Sequence, residues 1–444
     1  MSSIKQNNSD EYKETELGLL PMDWRVVKVS DVAEFSHKPR HLNIADADEV
    51  IFLPMECVPD AGDALRRYDT KKYSEISSGT FVFKNDLLIA KITPSFENGK
   101  QVVLRQLPEE FAFATTEVWP IHSKDNSVLL IDHLENYIKI HEIRTDLASK
   151  MEGSTGRQRL PRHVISNLKI PLPPITEQQR IAHVLRTVQE SKEKSEAVIS
   201  ALQELKKSMM SHLFKYGPVS LEDAEKVRLK ETEIGEMPEE WKAVKLGDCC
   251  EFLQYGTSKK CESEPVGLPV LRIPNVIGGE IDTSDLKYSD FSDKEVDNLI
   301  LEKGDILFVR TNGRREYVGR CAVYDDRPAR ALFASYLIRA RLKSQLMPLF
   351  VKYYAETEYG RDNLSGRASN AADGKFNINT QTIKSALVPK LPLDVQERIL
   401  AILSSIDERI ETEENKKAAL EQLFKSLLHD LMTAKIRVTD LQLS

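Results

Sequence analysis

One long amphipathic helix is written twice in this chain, and that repetition limits the fold more than any other feature. The first copy runs over residues 171–216 and the second over 389–435. An offset of 218 superposes them without a gap: Pro174 meets Pro392, Gln178 meets Gln396, Arg180 meets Arg398, Ile181 meets Ile399 and Leu205 meets Leu423. Each copy follows a proline-bounded stop, with Thr176 and Asp394 as candidate N-caps. Apolar residues then recur at steps of three and four: Ile181, Val184, Leu185, Val188, and later Val198, Leu202, Leu205, Met209 and Leu213. That period predicts a one-sided stripe on a helix. About forty residues at 1.5 Å each make a rod of roughly 60 Å. Such a rod cannot bury its stripe alone, and its own repeat is the economical partner. Both copies lose the stripe in the middle, around 191–197 and 411–417. An antiparallel pair lays these polar centres side by side, but so does a parallel one. The pattern leaves the direction open; an antiparallel coiled coil is the arrangement expected.

The repeat is larger than the helix. Lys13-Glu-Thr-Glu-Leu-Gly-Leu-Leu-Pro-Met-Asp-Trp24, continuing to Phe35, returns as Lys230-Glu-Thr-Glu-Ile-Gly-Glu-Met-Pro-Glu-Glu-Trp241, continuing to Phe252. Trp24 and Trp241 are expected to anchor the entry strand of each globular part. The interiors share an outline. Strands are expected at 81–83 and 87–92, then at 111–121, with a helix at 128–140. In the second half the counterparts are strands at 299–301, 306–310 and 331–342 and a helix at 347–358. Polar loops follow at 153–159 and 366–379. The expected class is α+β: two mixed α/β domains in tandem, separated by two long helices. The expected layout is a tail at 1–12, a first domain at 13–170, a helix at 171–217 and a linker at 218–229. A second domain at 230–388, a helix at 389–436 and a tail at 437–444 complete it.

Composition sets the class. The 444 residues suit two to three domains, and 41% hydrophobic with 30% charged residues describes a soluble globular chain. No apolar run approaches a membrane span. The first ten residues lack the apolar core of a signal peptide. Five cysteines without metal-ligand spacing suggest reduced thiols and a cytoplasmic location.

No catalytic constellation survives inspection. The stretch from Asn370 to Lys375 lacks Walker spacing, and no glycine fingerprint or methyltransferase tetrapeptide is present. Asp60 with Asp69 and Lys71 loosely resembles a nuclease pattern, but chance explains it better in a chain of 69 acidic residues. Charge is more informative. The net charge is −7, yet residues 301–345 hold ten Lys/Arg against five Asp/Glu. Arg310, Arg314, Arg315 and Arg320 surround Asn312 and Gly313. In the first half, the matching clusters are His37-Lys38-Pro39-Arg40-His41 and Arg157-Gln158-Arg159-Leu160-Pro161-Arg162-His163. Guanidinium forks suit phosphate and the guanine edge, while Asn and Gln suit adenine. A solvated, salt-bridged face is the plain alternative for any one cluster. Recurrence in both halves favours DNA.

These features together resemble the specificity subunit of a type I restriction–modification enzyme. The residues that carry the likeness are Pro174 and Gln178-Gln-Arg-Ile181 with Pro392 and Gln396-Glu-Arg-Ile399, the two Trp phrases, Phe252-Leu-Gln-Tyr-Gly-Thr257 and Lys303-Gly-Asp-Ile-Leu-Phe-Val-Arg310. The first half departs from the pattern at Lys84-Asn85-Asp86 and lacks the Tyr-Gly-Thr phrase. The resemblance implies a non-catalytic subunit with two target-recognition domains, each reading half of a bipartite site in double-stranded DNA. It implies two modification subunits as partners, holding S-adenosylmethionine, and restriction subunits using ATP and Mg²⁺, with no cofactor in this chain. Expected DNA-contacting residues are Lys38, Arg40, Lys91, Arg157, Gln158, Arg159 and Arg162 in the first half. In the second they are Tyr255, Thr257, Arg272, Arg310, Asn312, Arg314, Arg315, Lys375 and Asn377. Gln178, Arg180, Gln396 and Arg398 are read as exposed positions that dock the partners; capping and pairing within the first turn is their alternative role. Two rival classes remain: a coiled-coil adaptor that binds only protein, and a free-standing DNA-modifying enzyme.

Overall fold

The structure, a computed structural model, describes residues 11–60, 65, 67–154, 156–370 and 374–439. Most of the two expected tails (1–10 and 440–444) and the middle of the Asn370–Lys375 stretch lie outside these residues. The chain forms two compact units. One joins the residues up to Ala197 to those from Glu413 onward; the other is the continuous stretch from Val198 to Thr412.

In the first unit, an antiparallel sheet runs in the order Ala33–Phe35, Val118–Ser123, Leu87–Ala90, Gln101–Val103. A second sheet runs Asp69–Lys72, Glu49–Leu53, Phe111–Ala114, Thr80–Phe83, with a parallel pair at its centre. The second unit repeats the first sheet as Cys250–Tyr255, Leu337–Leu342, Ile306–Val309, Cys321–Val323. Its other sheet runs Lys287–Ser289, Leu268–Leu271, Leu332–Phe333, again with one parallel pair. Each domain is closed at its base by a short antiparallel ladder: Arg25–Lys28 with Lys169–Leu172, and Lys242–Lys245 with Leu387–Lys390. The predicted helix copies therefore open on a strand. Trp24 and Trp241 are buried beside these ladders as expected, and the Trp24 indole N–H donates to Glu177 at 2.9 Å.

The long helices span Ile175–Tyr216 and Leu393–Met432. Thr176 and Asp394 lie inside the first turn rather than at the cap. The carbonyls of Pro174 and Pro392 accept the first helical N–H groups, so the prolines themselves close the entry. In the first unit the start of one helix shares a core with the end of the other: Ile181 and Leu185 with Leu428, Leu431 and Met432. In the second unit Met210 and Leu213 share a core with Ile399, Leu400 and Leu403. The helices therefore run antiparallel. Glu196 pairs with Lys417 at 3.2 Å in the first unit, and Lys206 with Asp407 at 2.7 Å in the second. The stripe is wider than this two-helix seam can cover. Leu205 and Leu423, at equivalent steps, are each 46% exposed.

Several local expectations need correction. The single strands expected at 111–121 and 331–342 are each split between the two sheets of their unit, as Phe111–Ala114 with Val118–Ser123 and as Leu332–Phe333 with Leu337–Leu342. Leu299 ends a helix, Asp293–Leu299, instead of opening a strand, because Ser292 and Glu295 form a capping box at its start. Within 153–159, read as a loop, Gly153 and Ser154 and Arg157–Arg159 lie in a hairpin of Glu152–Ser154 with Arg157–Arg159.

Candidate nucleic-acid interface

In the first unit the hairpin carries the basic residues to the end of an inner strand of the first sheet, just past Ala90, where Ile92 bridges Arg159. The Leu160 N–H donates to the Lys91 carbonyl at 2.7 Å, and the Trp119 indole N–H donates to the Leu160 carbonyl at 2.9 Å. This brings Lys91, Arg159 and Arg162 together around one aromatic platform. The Lys91 ammonium lies 3.8 Å from the Trp119 ring centre, and the Arg162 guanidinium lies 4.2 Å from that of Phe35. Phe35 meets Trp119 edge-on at 5.5 Å. Burial, then the neighbouring Arg159 charge, holds the Lys91 ammonium below its ordinary pKa. Arg157 and Arg159 are exposed; Gln158 is half-buried, with its carbonyl accepting the Thr93 N–H at 3.1 Å. Lys38 goes elsewhere, donating to the Tyr73 hydroxyl at 2.9 Å, while Arg40 is exposed on the same loop.

In the second unit the Arg310 guanidinium lies 4.7 Å from the Tyr255 ring centre and donates to the Ser335 carbonyl at 3.2 Å. The Tyr255 hydroxyl accepts the Thr380 N–H at 3.2 Å. Thr311–Asn312 pairs with Phe376–Asn377, so Asn312, Asn377 and Arg310 come together, with exposed Lys375 next to Phe376. Thr257 serves this cluster through its main chain, taking the Ser335 N–H at 2.7 Å. Arg314 is exposed beside Tyr317. Two further expected contacts are hydrogen-bonded within their own domain. Arg272 donates to the carbonyl and carboxylate of Asp285, both at 2.8 Å, and Arg315 donates to the Ser365 carbonyl at 3.0 Å.

The positions read as exposed partner contacts divide into two kinds. Gln178 and Gln396 are completely buried, which overturns their reading as surface. Their amides are hydrogen-bonded to main chain at the entry of a short helix, as detailed below. Arg180 and Arg398 reach the surface, but each donates to the chain leaving the other long helix: Arg180 to the Thr439 carbonyl, Arg398 to the Pro218 carbonyl at 2.8 Å.

Sequence reasoning missed the aromatic platform and a buried ionic network. Phe35 had a signal, since it closes the phrase that recurs at Phe252; Trp119 had none. The network is centred on Asp305. Its carboxylate accepts two bonds from Arg341, both at 2.8 Å, and lies 3.5 Å from the buried Arg339. Arg339 also donates to the carbonyls of Ile300 at 2.6 Å and Asn298 at 2.9 Å. Desolvation lowers its pKa, with Asp305 opposing. Asp305 closes the Lys-Gly-Asp turn by accepting the Glu302 N–H at 2.9 Å, and Asp86 closes the Lys-Asn-Asp turn by accepting the Phe83 N–H at 2.7 Å. Gly304 and Asn85 occupy the same left-handed position, at φ of 96° and 67°. Asn tolerates that region better than most residues, so the turn survives the substitution. What changes is the carboxylate's partner. Where the second unit has Arg341, the first has His122, 3.9 Å from Asp86 and hydrogen-bonded to Ser36 at 2.9 Å and Glu34 at 3.1 Å. Burial raises the Asp86 pKa.

Residues 21–204 and 238–422 each match the family described as Type I restriction modification DNA specificity domain. The chain belongs to this specificity family. With two tandem specificity domains, it is a DNA sequence-recognition subunit of a type I system. It is similar to the type I restriction enzyme MjaVIII specificity subunit of Methanocaldococcus jannaschii, at 26% identity over 99% of both chains. It is also similar to the EcoEI specificity subunit of Escherichia coli, at 25% identity over 92% of this chain and 81% of that one. Among solved structures, its fold resembles the type I restriction-modification system S subunit from M. genitalium, with a TM-score of 0.57 and 14% identity over 92% and 96% of the two chains. A structure from work on complex assembly and conformational transition of the type I system gives a TM-score of 0.54 at 18% identity, covering 94% and 99%. No described helix is long and apolar enough to cross a membrane.

Proposed function

We propose that each unit reads one half of a bipartite DNA site through its basic, aromatic-backed edge. In the first unit that edge is built from Lys91, Arg159 and Arg162; in the second, from Arg310, Asn312, Arg314 and Asn377. The observation that carries the reading is a shared frame with different side chains on its edge. Both domains close on the same base ladder and the same carboxylate-capped turn, yet matching places on the edge carry different side chains: Lys91 stands where the second unit has Arg310, and Arg159 where it has Asn377. Two related readers of different sequences need that combination. Arginine held against an aromatic ring keeps its fork oriented before DNA arrives, which lowers the entropy lost on contact.

The subunit itself is non-catalytic. It assembles with the other subunits of the restriction–modification complex, and the repeated helix frame offers two equivalent surfaces to two modification subunits. Those subunits hold S-adenosylmethionine, and ATP and Mg²⁺ belong to the restriction subunits. Each long helix passes without a break from one unit into the other, so helix length sets the unread spacer between half-sites. The test is methylation of a DNA library by the assembled complex. A bipartite motif with a fixed gap is expected; a single continuous motif would refute the two-reader assignment, and DNA-independent behaviour would favour a protein-only adaptor.

A further inference from the structure

Gln178 and Gln396 use the same side-chain atoms for the same three bonds. The Oε1 of Gln178 accepts the Leu130 N–H at 2.9 Å, and its Nε2 donates to the carbonyls of Val128 at 2.9 Å and Pro173 at 2.8 Å. The Oε1 of Gln396 accepts the Met347 N–H at 2.9 Å, and its Nε2 donates to the carbonyls of Gln345 at 3.1 Å and Leu391 at 3.0 Å. Leu130 and Met347 are the N-caps of the short helices Ile131–Lys139 and Pro348–Glu356, which pack each recognition domain onto its helix pair. Each glutamine therefore ties three things together: the first turn of a long helix, the turn before it, and the entry of the domain's short helix.

Most of the rest of this joint is apolar. Leu134 and Ile138 share a core with Ile181 and Leu185, and Phe350 and Val351 share one with Ile399 and Leu403. Apolar burial is strong but non-directional, whereas hydrogen bonds weaken steeply when misaligned. The glutamine tie is common to both units, while neighbouring polar ties are not. Arg186 meets Asp132 at 2.8 Å in the first unit, and Tyr353 meets Asp407 at 2.6 Å in the second.

Resting on the two-reader assignment above, we infer that Gln178 and Gln396 are positioning residues that fix the angle of each recognition domain on its helix pair, and so sharpen discrimination between spacer lengths. Without the tie, the domain stays attached through its apolar contacts but rocks on them. Half-site sequence is then still read, and the spacing tolerance widens.

The test uses the complex assembled with its modification subunits. The substrates are duplexes with fixed half-sites and spacers varied one base pair at a time. The variants are Gln178→Met and Gln396→Met, which keep volume and lose the bonds, and Gln178→Asn and Gln396→Asn, which keep the amide but shorten its reach. In the folded variants, the ratio of methylation at the best spacer to that at its neighbours should fall about tenfold, with half-site sequence preference unchanged. Folded variants that keep the wild-type ratio would overturn the positioning role. So would an equal loss at every spacer, or failure of all four to fold, since either would make the amide a stability element only. A wild-type complex with no spacer optimum would instead overturn the two-reader assignment itself.

Discussion

The imidazole of His133 donates through Nε2 to the carbonyl of Pro171 at 2.6 Å, inside the core where the first domain meets its long helix. Its Nδ1 is buried without a partner. Burial holds the ring neutral and pushes its pKa down to about 4. Phe350 occupies the equivalent place in the second unit. A depressed histidine pKa contributes stability that is present above the unfolded value near 6.5 and is lost as pH falls toward 4. At pH 5 the loss amounts to about 2 kcal/mol. Denaturant unfolding at pH 7 and pH 5 should show the first unit weakening and His133→Phe flattening that slope. Parallel losses in the wild type and the variant would remove His133 as the cause.

Asp305 neutralises two guanidinium groups, one of them buried. Asp305→Ala should cost the second unit about 3–5 kcal/mol, because Arg339 is left in the core without its counter-charge. Thermal unfolding with limited proteolysis would locate the loss, with new cleavage expected within residues 198–412. A change below about 1 kcal/mol would mean that the carbonyls around Arg339 suffice to hold it.

Arg162→Ala and Arg310→Ala each remove a guanidinium from an aromatic face, one in each unit. If the group reads a base, affinity should drop by about 1–3 kcal/mol at one position of one half-site. If it holds phosphate, all sequences should bind more weakly and the salt slope should fall by about one. The same distinction applies to Arg157, Arg159 and Arg314. Titrations at several salt concentrations decide it, and unchanged affinity with unchanged slope would make these groups plain solvated surface.

Adding four residues beside Ser195 and four beside Glu413 lengthens both long helices by about 6 Å while nearly keeping the phase of the stripe. With base pairs rising about 3.4 Å, the preferred spacer should grow by roughly one to two base pairs. Extending one helix alone should shift the pairing by a turn and lower stability. A doubly extended protein that folds, supports methylation and still prefers the original spacer would sink the link between helix length and spacer.

The sequence exposed the frame because the frame is periodic and duplicated. A stripe repeated at a constant offset, with Trp24 and Trp241 at the heads of their repeats, needs no tertiary information to be seen. Burial of isolated polar groups does. Gln178 looks like any surface residue of a first helical turn, since the Val128 and Leu130 main-chain groups that bury it lie some fifty residues earlier. Arg272 and Arg315 read as DNA contacts by composition, but distant carbonyl and carboxylate groups engage them. The Lys91 and Trp119 platform was equally hidden, because strand pairing alone brings those residues together. The apparent departure at Lys84-Asn85-Asp86 dissolved for a local reason: Asn accepts the left-handed position that Gly304 holds in the other repeat.

The first unit is assembled from two distant stretches of chain, and that has a consequence for its biosynthesis. The second unit is continuous from Val198 to Thr412. The first borrows Leu428, Leu431 and Met432 for its core, and its buried Glu177 takes the Arg437 guanidinium as counter-ion at 2.6 Å. A ribosome delivers everything the second unit needs before it supplies Arg437. The domain translated first is therefore completed last. Until then the nascent chain carries a finished second unit and an open first one, with Ile181 and Leu185 covered only on the side that meets Leu134 and Ile138 and otherwise open to chaperones or mispairing.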